Sequence, residues 1–233
     1  MMLLEVKGIN TFYSISHILF DVSMEIDKGE VACIMGRNGV GKTTTLRSIM
    51  GLTTPRSGSI LFGGVEIRGK QPFEIARLGI GFVPEDRIIF PDLTVKENLG
   101  IASKGKDKGP WTFERVYKMF PILEKRQAQM GGTLSGGEQQ MLTIARTLKG
   151  NPRLLLLDEP SEGLSPLVIK ELENQVRSLK KEGMPILLSE QNSSFTLKLS
   201  DRAYILEKGE LRWKGDVREL KEKPEILKTY LGV

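Results

Sequence analysis

Hydrophobic residues change rhythm along this chain, and each rhythm predicts a different element. Residues 18–26 alternate. Ile18, Phe20, Val22, Met24 and Ile26 fall on one face, and Asp21, Ser23 and Glu25 on the other, which predicts a half-buried strand. Residues 4–6 and 60–62 read as further strands, so a small antiparallel sheet is expected in this part. Continuous apolar runs at 31–35, 80–83, 153–157, 185–189 and 203–206 predict strands covered on both faces. Helical spacing marks 95–101, 113–119 and 138–149. A further helix begins after Ser165, with Pro166 in its first turn and Val168, Leu172, Val176 and Leu179 as its buried stripe.

Strands interleaved with helices imply an α/β fold built on a mostly parallel, covered sheet. The change of character from 86 to 149 predicts a helical lobe inserted into a core formed by 1–85 and 150–233, which also carries the antiparallel strands. With 233 residues, one domain is expected.

Composition narrows the picture slightly. The net charge is +5, from 34 basic and 29 acidic residues. The two signs are mixed along the chain, so a solvated surface is expected and nucleic acid is not expected as a partner. Basic clusters at 104–108 and 180–181 read as a loop and a helix end. Cys33 is the single cysteine, which excludes an internal disulfide and suits a reducing compartment. Its place in the run 31–35 predicts a small apolar role. No stretch has the about 18 apolar residues of a membrane span, and the N-terminus lacks a signal pattern, so any work at a membrane would be peripheral.

Candidate chemistry begins at GRNGVGKTT, 36–44, between an apolar strand and a helical run. Gly36, Gly39 and Gly41 permit a tight turn whose N–H groups cradle phosphate oxygens. The helix start adds further N–H groups and its positive dipole end. Lys42 can reach the β- and γ-phosphates and Thr43 can bind Mg²⁺. The run LLLLDEP, 154–160, places Asp158 at a strand tip for Mg²⁺ and Glu159 beside it, where a carboxylate can activate a water. In LSGGEQQ, 134–140, a serine and two glycines open a helix, a second anion site.

This order of motifs resembles one family, the ATP-binding cassette (ABC) ATPases, over the whole chain. The resemblance implies a P-loop NTPase with a RecA-like core, an antiparallel β subdomain and a helical subdomain, acting on ATP with Mg²⁺. GRNGVGKTT is similar to the family's Walker A loop, placing Asn38, Val40 and Thr44 with the glycines, Lys42 and Thr43 around the nucleotide. LLLLDEP is similar to the Walker B strand with its catalytic glutamate, SEGL (161–164) to the D-loop, and Tyr13 to the aromatic that stacks on adenine. Membership implies a head-to-tail dimer, with itself or a second ABC ATPase, sandwiching two ATP molecules. Ser135, Gly136 and Gly137 of one protomer would then touch the γ-phosphate held by the other.

Two positions depart from the usual pattern. Glu85 stands where the family has glutamine in its metal-sensing loop, and a carboxylate still suits Mg²⁺. Gln191 stands where the family has a switch histidine, and the chain's one histidine is His17. An amide can hold a γ-phosphate or water but cannot carry charge or a proton. Catalysis is therefore expected from Glu159, Lys42 and Gln191. With VPEDRIIFPDLTVKENL (83–99), DEPSEGLSP (158–166), SEQN (189–192) and the closing 230–232, these departures resemble the ATPase subunit of branched-chain amino acid importers. Urea and amide importers are the alternative, and a soluble ABC ATPase acting on nucleic acid a more distant one. The resemblance implies two membrane permease subunits, an external solute-binding protein and a place on the cytoplasmic membrane face. Phe90, Pro91 and Leu93 are candidates for permease contact or, equally, for packing within the lobe.

Overall fold

The structure is a computed structural model that describes residues 2–103 and 109–232. The expected loop at 104–108 therefore lies outside the described residues. In chain order the elements are β1 (Met2–Tyr13), β2 (Ser16–Asp27), β3 (Val31–Met35), α1 (Lys42–Ile49), β4 (Ser57–Phe62), β5 (Val65–Glu66), α2 (Pro72–Leu78) and β6 (Ile80–Val83). Next come α3 (Val95–Ile101), α4 (Phe113–Met119), α5 (Pro121–Lys125), α6 (Gly136–Lys149), β7 (Leu154–Asp158) and α7 (Pro166–Lys181). The remainder is β8 (Ile186–Glu190), α8 (Ser193–Leu199), β9 (Arg202–Glu207), β10 (Glu210–Asp216), α9 (Val217–Glu222) and α10 (Pro224–Leu231).

Among the described residues these strands form two sheets. The larger has the order β10-β9-β3-β8-β7-β6 and is parallel except for the β9–β10 hairpin at one edge. The smaller, β2-β1-β4-β5, is antiparallel throughout. All residues of β3, β7 and β8 are buried. Their side chains alternate between two cores, as strand geometry requires. Cys33, Leu155, Leu157 and Leu188 join one, with Leu99 of α3, Leu142 of α6 and Leu172 of α7. Ile34, Leu154, Leu156 and Leu187 join the other, with Leu46 of α1 and the inward residues of β1, β2 and β4. Burial pushes the Cys33 thiol up to about 12, so it is an inert packing group.

The strand at 18–26 breaks the expected alternation. Leu19 is fully buried, Ile18 is only half-buried and Phe20 is exposed. Asp21 takes a left-handed φ of 50°, and the register with β1 shifts between the Ile9–Val22 and Thr11–Leu19 pairs. That bulge flips the phase of the strand, which no count of apolar positions anticipates. Helix α6 also begins earlier than the apolar period implies, because Ser135 closes a capping box with Glu138.

Candidate active site

Parallel register decides where the chemistry collects. Met35 lies opposite Glu190, Asp158 opposite Ser189, and Val83 opposite Leu157. The segments following β3, β6, β7 and β8 therefore open on one edge, the carboxyl ends of the strands, where open α/β sheets bind ligands.

The 36–41 loop depends on its glycines. A Cβ at Gly36 would lie 2.6 Å from the Leu206 carbonyl oxygen, and one at Gly41 2.6 Å from Leu19 Cδ2. Gly41 has a φ of 108° and caps α1 without any side-chain hydrogen bond. The first amides of α1 have no intrahelical partner, the arrangement that accepts phosphate. Lys42 is buried. Its Nζ donates to the carbonyls of Gly36 (3.0 Å) and Arg37 (3.1 Å) and pairs with Glu159 Oε1 at 3.0 Å. Thr44 is also buried, whereas Asn38 is exposed and Val40 half-buried.

Thr43 Oγ1 donates to Asp158 Oδ1 at 3.1 Å, and Ser189 Oγ donates to the same oxygen at 2.5 Å. Burial pushes the Asp158 carboxyl up, and these two hydroxyls oppose the shift. A hydroxyl and a carboxylate side by side are hard oxygen donors. They suit Mg²⁺, which takes one or two protein oxygens and completes its shell with phosphate and water. Glu85 is exposed and lines the same groove as Thr43 and Asp158. Partial burial raises its carboxyl, followed by the charges of Glu159 and Asp158. Among the described residues, no three His, Cys, Asp or Glu side chains form a metal cage of their own.

Glu159 has a left-handed φ of 42°. This conformation costs a non-glycine residue about 1–3 kcal/mol and is found where function fixes a side chain. Its N–H donates to the Ser189 carbonyl at 3.0 Å, which ties the turn to β8. Glu162 follows in the same turn, its N–H donating to the Glu159 carbonyl at 3.1 Å. A hydrogen bond with the Glu159 side chain, with partial burial and nearby carboxylates, lifts the Glu162 carboxyl to about 7. Glu190 is buried beneath the turn and accepts from the N–H groups of Ser161 (2.9 Å) and Asn192 (3.2 Å). Burial raises its carboxyl too.

Several expected site residues stand apart from this cluster. Gln191 is exposed just past β8. Tyr13 ends β1, 42% exposed at the tip of the β1–β2 hairpin. Ser135 and the glycines after it start α6, and among the described residues no hydrogen bond or ion pair joins them to Lys42 or Asp158. Ser135 Oγ accepts from the Glu138 N–H at 3.3 Å. A groove of about 800 Å³ runs outward from Thr43 and Asp158, past Glu85, to Ile88, Phe90 and Ile101. Phe90 and Pro91 are exposed and Leu93 is half-buried.

Sequence reasoning missed Ser189 and Glu190. A serine and a glutamate ending an apolar strand do hint at an internal role, but their partners come from β7 and its turn, distant in sequence.

Comparison with known proteins gives a consistent family. The family described as ABC transporter matches residues 19–162. The chain is 41% identical to the high-affinity branched-chain amino acid transport ATP-binding protein BraG of Pseudomonas aeruginosa, covering 99% of this chain and 100% of BraG. It is 38% identical to the probable branched-chain amino acid transport ATP-binding protein LivF of Archaeoglobus fulgidus, covering 99% of each. The lipopolysaccharide export system ATP-binding protein LptB of Escherichia coli K12 is 31% identical over 98% of this chain and 97% of its own length. Among solved structures, a dimeric bacterial ABC transporter cassette superposes with a TM-score of 0.82 at 26% identity, covering 93% of this chain and 99% of that one. With a whole-length match and this arrangement of phosphate loop, acidic strand tip and serine-glycine helix start, the chain belongs to the ABC transporter family of ATP-binding proteins.

Proposed function

We propose that this ABC ATPase energises uptake of branched-chain amino acids, as one ATPase subunit of an importer on the cytoplasmic membrane face. The observation that carries its chemistry is the convergence of Lys42, Thr43, Asp158 and Glu159 within one bonded cluster. Lys42 binds the β- and γ-phosphates, and the amides of 39–44 hold the remaining phosphate oxygens. Thr43, Asp158 and Glu85 would hold Mg²⁺, which neutralises phosphate charge when bound. Glu159 takes the proton of the attacking water. A γ-phosphate that draws the Lys42 ammonium away from Glu159 frees that carboxylate for its role. Gln191 orients phosphate or water by its amide, and Tyr13 stacks on the adenine. Ser135, Gly136 and Gly137 close on the partner protomer's nucleotide.

Residues 86–149 are taken as one lobe that moves against the rest, and the exposed Phe90 supports permease contact over packing within the lobe. Among the described residues no helix is long and apolar enough to cross a membrane.

The test is a trapped capture. Tagged Glu159→Gln is added with Mg-ATP to gently solubilised native membranes, and co-purifying chains are identified by mass. Two permeases and a second ABC ATPase support the importer, and a captured solute-binding protein is then screened with leucine, isoleucine, valine and urea. Lipopolysaccharide export proteins, a urea-selective binding protein, or ribosomes and nucleic acid alone would each replace the branched-chain reading.

A further inference from the structure

The segment from Pro84 to Phe90 supplies one wall of the groove, and it is fastened at two ends by different parts of the molecule. At its far end the lobe holds it. Asn98 of α3 accepts from the Phe90 N–H at 3.0 Å and donates to the carbonyls of Phe90 (2.9 Å) and Leu93 (3.0 Å). Arg146 of α6 donates to the Ile88 carbonyl and lies 5.1 Å over the Phe90 ring. At its near end a single side chain, Arg87, reaches the other way. Its Nη2 donates to the Glu162 carbonyl at 2.5 Å, in the turn whose first member is Glu159. A Cβ on Gly136 would lie 2.7 Å from its Nη1, and a Cβ on Gly163 3.2 Å from its Nη2. Two glycines thus leave room for one guanidinium between the groove wall, the start of α6 and the Glu159 turn. Arg87 itself adopts a left-handed φ of 47°, unfavourable for a long side chain and sustained only where surrounding contacts hold it.

We infer that Arg87 is a positioning residue that ties the groove wall to the Glu159 turn and to the first residue of α6, so that a permease segment seated against Phe90 sets the placement of Glu159. The inference rests on the reading of Glu159 as the hydrolytic base. Its physical basis is that one planar guanidinium bonds and packs against three segments, and these change position together when the wall moves. A lysine at this position keeps the charge and one donor but loses the fork.

The captured transport complex, reconstituted in lipid vesicles, provides the test. Phosphate release is measured for the parent, Arg87→Ala, Arg87→Lys, Phe90→Ala and the Arg87→Ala/Phe90→Ala pair, with Glu159→Gln in parallel. Arg87→Ala is expected to lower kcat by about ten- to a hundredfold with KM unchanged, because misplacement of a base by a fraction of an ångström acts on the chemical step. Arg87→Lys should recover part of that loss. Phe90→Ala should lower kcat in the parent and have little further effect once Arg87 is gone, the signature of two residues acting through one link. An unchanged kcat for Arg87→Ala, a rise in KM alone, or strictly additive effects of the pair would overturn the inference. Continued turnover by Glu159→Gln in the same vesicles would instead overturn the reading of the base itself, which separates the two failures.

Discussion

Helices α1 and α6 both begin at glycine-containing turns proposed to meet phosphate, yet they begin in opposite ways. The start of α1 is capped by Gly41 with no side-chain bond, and its first two residues converge on carboxylates of another strand. The start of α6 is self-satisfied. Ser135 Oγ accepts from the Glu138 N–H, and Glu138 accepts from the Ser135 N–H at 2.9 Å. One end is knitted by tertiary contacts around a site, and the other is completed locally and presents outward. Under the proposed division of the site between two protomers, the contrast teaches that the half needing fixed companions takes them from its own core, and the half offered to a partner is completed before the partner arrives.

The strongest way to probe the knitted half is Glu159→Gln. Phosphate release should fall by about 10²–10⁴-fold, the range of a lost general base. Equilibrium ATP binding should stay intact or tighten, since Lys42 loses a competing anion. Turnover within threefold of the parent would remove Glu159 from the chemistry.

Next in size is Ser135→Arg, which addresses the presented half alone. ATP should still bind the isolated chain, while light scattering should find no ATP-dependent dimer in the Glu159→Gln background. Equal loss of nucleotide binding would place Ser135 on its own protomer's nucleotide instead.

A subtler difference is expected in pH dependence. Glu162 is lifted from an ordinary carboxyl to about 7 beside Glu159. Below that value Glu162 is neutral and its side chain is hydrogen-bonded to that of Glu159, occupying the carboxylate that would receive the water. Above that value Glu162 can no longer donate to the Glu159 side chain, which leaves that carboxylate open to the attacking water, so hydrolysis should rise between pH 6 and pH 8. Stability runs the other way: the folded chain binds this proton more tightly than the unfolded one, so this contribution is present at low pH and fades as pH rises through about 7. Glu162→Gln cannot ionise and should flatten the rise in phosphate release. An unchanged profile would show that Glu159 does not feel this neighbour.

The smallest effect belongs to Glu138→Ala, which opens the capping box of α6. A loss of about 0.5–1 kcal/mol is expected, or a Tm lower by about 1–4 °C, followed by circular dichroism. Partial burial raises the Glu138 carboxyl while the Ser135 hydrogen bonds and Arg126 bring it below its usual value, so the cap should persist into mildly acidic solution.

Legibility in the sequence followed the range of the interactions. The boundaries of β3, α3 and α4 were readable because apolar runs and local caps such as Thr94 and Thr112 set them. The glycine turn at 36–41 was readable because its tight backbone demands residues without a Cβ, and the strand ending at Asp158 because four leucines precede it. Strand β10 was not, because it is an edge hairpin strand without a single buried residue and carries no strong pattern. Nor was the bulge at Asp21, whose phase change rests on pairing with β1. Ser189 and Glu190 were hidden for the same reason: each acts on atoms supplied by segments remote in the chain.

The sealed thiol in β3 has a practical consequence. Cys33 is the chain's only cysteine, fully enclosed and lifted to about 12, so almost none of it is thiolate at neutral pH. A maleimide or nitroxide reagent should pass it by. New cysteines placed near the starts of α1 and α6 would therefore be the only sites to accept spin labels, with no native thiol to remove, and pulsed distance measurements could follow those two helices through a transport cycle in the native background.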